Sequence, residues 1–233
     1  MSTLPIPPAE PSRSRRDFVG HVAQLGAAAA IAGCASAHPA TTAAAGRAAA
    51  PASGWDLSWV ARIGAATDRA VFDAAAINEG TVLDLATRYL DNCDAVYGAH
   101  GSRAVAVLNF RTRAVALGLT SAMWERYALG AQYDVKDPLT KQPATRNPFL
   151  DVAPGAYPGT GSINALVRRG AVLLVCDFAL GHLSNRLAAS AGRAADEVHR
   201  DLRAGFVPGA FAVPSGIYGM AKAQNAGCAL VTM

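Results

Sequence analysis

The run AVLLVC, residues 171–176, decides the fold class. Six apolar residues in succession, without the alternation of a strand that has one wet face, describe a strand buried on both sides, as in the centre of a parallel sheet. Working outward, RAVAVLNF at 103–110 reads as a second strand and RAVF at 69–72 as a shorter one. CALVT at 228–232 ends the chain as a strand, and FVPGAFAV at 206–213 reads as a short strand interrupted by its Pro-Gly turn signal. Helical stripes fill the gaps. Residues 78–96 place Val82, Leu85, Ala86, Tyr89, Leu90 and Cys93 three and four apart. Residues 112–129 carry Val115, Leu119, Met123, Trp124 and Tyr127, 164–169 read as a short helical piece, and a long helix is expected over 178–204. Pro214, Ser215 and Gly216 open a last helix, with Gly227 as its stop. Strands alternating with helices predict an α/β domain with a mainly parallel sheet and helices on both faces.

Upstream of this domain the chain changes character. SRRDFVG at 14–20 pairs Arg15 and Arg16 ahead of an aromatic, and the apolar run at 22–33 is mostly alanine. That run is about 12 residues, too short to cross a bilayer, which takes about 20. A charged start, an apolar middle and a small-residue end together describe a twin-arginine export signal over residues 1–37. Ala35, Ser36 and Ala37 suit ordinary signal peptidase, while Ile31, Ala32, Gly33 and Cys34 resemble a lipobox, which makes Cys34 a candidate lipidation residue. Residues 38–54, rich in Ala, Thr and Pro, read as a flexible tether, and 55–233 as the folded domain. The expected location is the periplasm, or otherwise outside the cytoplasm, with a membrane contact only through a lipid anchor.

Charge and cysteines narrow the function classes. The leader holds three of the 21 Lys and Arg and two of the 17 Asp and Glu, so the rest carries 18 against 15. Such a balance, spread along the chain, is no footprint for nucleic acid. The four cysteines Cys34, Cys93, Cys176 and Cys228 show no CxxC pair and no CxxH or HxxxH spacing, so neither a metal site nor a cofactor is expected. Three remain beyond the leader, which leaves at least one thiol unpaired or paired between chains. A Cys176–Cys228 pair across strand ends is one arrangement to test against the geometry. Cys93, on an apolar helical stripe, reads as core packing. The proline-rich connection over 130–158 spans about 29 residues, long enough to suggest a functional or contact role.

The order of features resembles the DsrE/DsrF-like family, a small α/β fold that includes sulfur-relay proteins. The resemblance covers 69–233. It rests on the strand ending in Cys176 after Gly170, on VPSGIYGMAKAQNAGCALV at 213–231, on MWERYALG at 123–130 and on TRNPF at 145–149. Sulfur-relay members carry a persulfide on a cysteine near the end of a central strand, and Cys176 matches that position. The resemblance further implies a homo-oligomer and a sulfur or thiol-exchange protein as partner.

Physical reasoning places the same residue at a favourable point. Ligands of open α/β sheets bind beyond the carboxyl ends of the strands, and the free amides of a following helix favour a thiolate there. The adjacent Asp177 carboxylate opposes it. Cys176 therefore has two readings, nucleophile or small buried hydrophobe. His182, six residues on, is a candidate acid/base for the thiol or an exposed helix residue. Asp73, Asn109 and Arg111 fall at strand ends where ligand contacts gather, and also suit chain reversal. Ser215 and Gly216 could offer amides to an anion, or form a plain helix cap. Two functions follow as expectations. One is an exported thiol or sulfur carrier using Cys176; the other is a non-catalytic module that binds a small ligand or assembles as a homo-oligomer through the long loop and the strand ends.

Overall fold

The computed structural model describes residues 54–98, 103–152 and 161–232. The export signal with Arg15 and Arg16, Cys34, and the tether up to residue 53 lie outside the described residues.

Among the described residues five strands are formed: β1 (Asp68–Ala74), β2 (Ala104–Phe110), β3 (Val172–Cys176), β4 (Ala210–Val213) and β5 (Ala229–Thr232). All neighbouring pairs are parallel, in the order β4-β3-β2-β1-β5. The apolar runs are continuous because each strand sends alternate side chains into two separate cores. Phe72, Leu108, Leu173 and Val175 enter one, while Val71, Val107, Val172 and Leu174 enter the other.

Helices cover both faces. The first core is closed by α2 (Thr81–Tyr97), α5 (Ile163–Arg168), α6 (Asp177–Ala191) and α7 (Ala195–Ala204), through Leu83, Leu90, Leu166, Leu183, Leu187 and Leu202. The second is closed by α1 (Ser58–Gly64) and α8 (Gly216–Asn225), where Trp59, Ile63 and Ala223 are fully buried. The α1 helix has no counterpart in the sequence reading. Its seven residues are too few for a periodic stripe, and only the burial of Trp59 and Ile63 gives it a place.

Two expected helices are divided. Residues 112–129 form a 3-10 segment (Thr112–Gly118), then α3 (Ser121–Arg126) and α4 (Leu129–Tyr133). Residues 114–118 are buried on every side, and a Cβ on Gly118 would stand 2.5 Å from the Val175 side chain, so this stretch lies flat on the sheet. The 178–204 helix breaks at Gly192, whose φ of 61° closes α6; the amides of Gly192 and Arg193 donate back to Ala189 and Ala188. Strand β4 is also shorter than expected, because Pro208 and Gly209 form a turn ahead of it.

An ion cluster ties α7 to the end of α3 and to Arg193 in the turn after α6. The Asp201 carboxylate accepts from Tyr127 Oη at 2.6 Å, from Arg126 Nη1 at 2.7 Å and from Arg193 Nη1 at 3.1 Å. Hydrogen bonds from Tyr127 and Arg126 hold its pKa down, at about 2. A lowered carboxylate pKa stabilises the fold above the unfolded value and loses that contribution as pH falls through the folded value. Asp201→Asn is therefore expected to lower stability by about 1–2 kcal/mol at neutral pH. The gap from wild type should close between about pH 4 and pH 2 in acid denaturation curves. Parallel curves over that range would show that Asp201 is not the titrating group.

Candidate functional site

Parallel register brings the strand-end residues together. Asp73 and Asn109 are partners across β1 and β2 and point to the α8 face. Asp73 is 8% exposed and Asn109 fully buried. Just past β2, Arg111 is still extended, and its backbone amide donates to Ala74 O at 2.9 Å. That position aims the guanidinium back along the strand ends. Its Nε donates to Asp73 Oδ1 at 2.8 Å and its Nη2 to Oδ2 at 2.8 Å, a two-pronged pair. The Asp73 carboxylate holds the Arg111 guanidinium above its ordinary pKa. Asn109 Nδ2 completes the group by donating to Asp73 Oδ1 and to Gly216 O, each at 3.1 Å.

The start of α8 fits against this cluster because it has no side chain there. A Cβ on Gly216 would lie 2.7 Å from Arg111 Cβ, and one on Gly219 would lie 3.1 Å from Asn109 Oδ1. Gly219 is absent from the sequence reading, and its signal was the three-residue spacing from Gly216, which puts both on one helix face. Ser215 Oγ accepts from Tyr218 N at 3.1 Å, so Ser215 is a helix cap here. Asp73, Asn109, Arg111 and Gly216 thus meet in one packed cluster, with Ser215 capping the helix next to Gly216.

Cys176 borders it. As the last residue of β3 it is in register with Val213 of β4, and it caps α6, its Sγ accepting from Ala179 N at 3.3 Å. Phe178 N donates to Pro214 O at 3.2 Å, which fastens the start of α6 to the connection before α8. The sulfur is within electrostatic reach of Arg111, adding to the forces that keep that guanidinium charged. Asp177 engages α7: its Oδ1 lies 3.1 Å from His199 Nε2 and 3.5 Å from Arg203 Nε. The carboxylate expected to oppose a thiolate therefore has cationic or hydrogen-bonding partners of its own. His199 and Arg203 could not be assigned from sequence, since they sit more than 20 residues away on another helix. Cys176 is nevertheless only 4% exposed.

The other candidates separate from it. His182 is exposed, its ring edge-on to exposed Phe178 at 4.7 Å. Cys93, Cys176 and Cys228 are all free and buried. A Cys176–Cys228 bridge is ruled out by topology. Cys228 precedes β5, beside β1, whereas Cys176 ends β3, with β2 and β1 between them. Burial pushes the Cys93 thiol up and the Cys228 thiol to about 11, so both are held protonated in the core. Among the described residues no three His, Cys, Asp or Glu side chains gather to hold a metal ion.

A concavity lies beside β1 and β2. A cleft of about 660 Å³ runs between residues 76–79, after β1, and residues 133–141, after β2, with Arg113 and Phe149 also in its walls. The long connection therefore does form a wall of a pocket. Cys176 and the residues of the Asp73 cluster do not line it.

Fold and cluster define an open, all-parallel α/β domain with a polar group of side chains at the carboxyl ends of its strands. No protein-family model, curated protein or solved structure matches the chain.

Proposed function

We propose that this chain is an exported thiol- or sulfur-handling carrier of the DsrE/DsrF-like type, with Cys176 as the atom that bears the sulfur. The observation that carries the reading is the position of Sγ, which accepts the Ala179 amide at the head of a 15-residue helix. Reactive thiols recur at helix N-termini, where first-turn amides point at the sulfur. In the step itself, the Cys176 thiolate attacks the outer sulfur of a persulfide on a partner protein. The partner's S–S bond breaks, its thiolate leaves with the electron pair, and Cys176 holds the new persulfide with no net oxidation. A thiol so little exposed reacts only as often as it is uncovered, which suits transfer from a docked partner over scavenging from solution. Export through the twin-arginine pathway rests on Arg15 and Arg16; with both changed to lysine, precursor should accumulate in the cytoplasm.

The test is to treat the folded protein with glutathione persulfide and locate added sulfur by peptide mass spectrometry. One added sulfur is expected on the Cys176 peptide and none on Cys176→Ser of unchanged fold. Failure to load Cys176 before unfolding would leave the second reading, a non-catalytic periplasmic module for a small ligand or for homo-oligomeric assembly. The burial of Cys176 is the observation that favours it.

A further inference from the structure

We propose that the 660 Å³ cleft is a binding site, separate from Cys176, for a small organic zwitterion of the amino-acid kind. Its volume falls within the range of small-molecule sites, about 300–1,000 Å³. Its location, beyond the carboxyl ends of β1 and β2, is where open parallel sheets hold ligands. The two walls are joined at their base, since Arg113 N donates to Ala75 O at 3.0 Å and Arg113 Nη2 donates to Tyr133 O at 3.2 Å.

Backbone conformation singles out this cleft. Among the described residues six non-glycine residues have positive φ, and four of them, Asn78, Glu79, Asp134 and Lys141, line it. Asn and Asp tolerate the left-handed region, whereas Glu and Lys have no such excuse. Glu79 at φ 50° and Lys141 at φ 60° are therefore strained, and such strain persists at ligand clamps when the surroundings impose it. These two residues also carry opposite charges, and they come from the two chain segments that line the cleft. Both are exposed, and among the described residues neither side chain has a hydrogen-bond or salt-bridge partner.

The remaining lining supports the same ligand chemistry. Asp137 is already occupied, accepting from Leu139 N, Thr140 N and Arg146 Nε. Arg113 lies over the Tyr133 ring and, beyond its bond to Tyr133 O, adds a second positive charge to the lining. Ile77 and Phe149 are buried apolar residues that offer a surface to an aliphatic or aromatic body. A simple anion would meet Glu79, and a simple cation would meet Lys141 and Arg113. An ammonium toward Glu79 with a carboxylate toward Lys141 satisfies both.

The experiment is calorimetric titration of the protein with the common L-α-amino acids one at a time. For any that binds, the matching amine without the carboxylate and the acid without the ammonium follow. At least one amino acid is expected to bind saturably with Kd below about 1 mM, and its single-charge analogues about tenfold more weakly or worse. Glu79→Gly and Lys141→Gly should each raise Tm, because glycine relieves the left-handed strain, while weakening binding by about tenfold or more. Cys176→Ser should leave binding unchanged, which keeps this result independent of the sulfur-carrier reading. No saturable binding by any amino acid, equal binding by the single-charge analogues, or undiminished affinity in both glycine variants would overturn the proposal.

Discussion

Gly130→Ala is expected to destabilise the domain by about 3 kcal/mol, the upper range for forcing extra volume into a packed site. A Cβ at Gly130 would overlap the backbone oxygen and nitrogen of Ala144 and stand 2.8 Å from its carbonyl carbon. Backbone cannot rotate aside as a side chain can. The contact is also fixed from both ends: Val135 N donates to Gly130 O at 2.7 Å and Ala144 N to Val135 O at 2.9 Å. An added methyl must therefore push the 135–144 hairpin away from α4. Since residues 133–141 form one wall of the cleft, any ligand affinity there should fall with stability. Chemical denaturation of the variant checks the first effect. A midpoint within error of wild type would show that the hairpin moves freely.

Asp73→Ala is the second large expectation, at about 2 kcal/mol of stability lost. Removing the carboxylate strands the Arg111 guanidinium and takes one of two acceptors from the buried Asn109 amide. A fully buried broken pair would cost more, but the Arg111 side chain is 37% exposed and water can reach it, so the figure is discounted accordingly. The double variant Asp73→Ala/Arg111→Ala should lose less than the sum of the two single losses, because the second change removes the stranded charge. Strict additivity in urea denaturation would mean that the two side chains act independently.

These effects arise from contacts that local pattern does not contain. The pairing of Asp73 with Arg111 spans 38 residues, and the Asn109 bond to Gly216 spans 107. From sequence, Asp73, Asn109, Arg111, Ser215 and Gly216 could be placed only at strand ends and at a helix start. Parallel register and the packing of α8 then decided that Asp73, Asn109, Arg111 and Gly216 form one cluster, with Ser215 next to it. The Asp177 carboxylate shows the limit most plainly. Its sequence neighbour is Cys176, yet its partners are His199 and Arg203, brought near by the break at Gly192 that folds α7 back on α6.

What the sequence determined by itself was the set of strands, the parallel α/β class and the packing role of Cys93, because continuous apolar runs and three-and-four spacings report burial directly. Tertiary structure alone decided the rest. The strand order separates Cys176 from Cys228, the flat 3-10 segment replaces an expected helix, and one cleft is lined by both Glu79 and Lys141. The physical reason is one of range. Whether a residue is buried depends on its own polarity and that of its near neighbours, but which residues it meets inside depends on how distant segments pack and on the entropy lost in joining them.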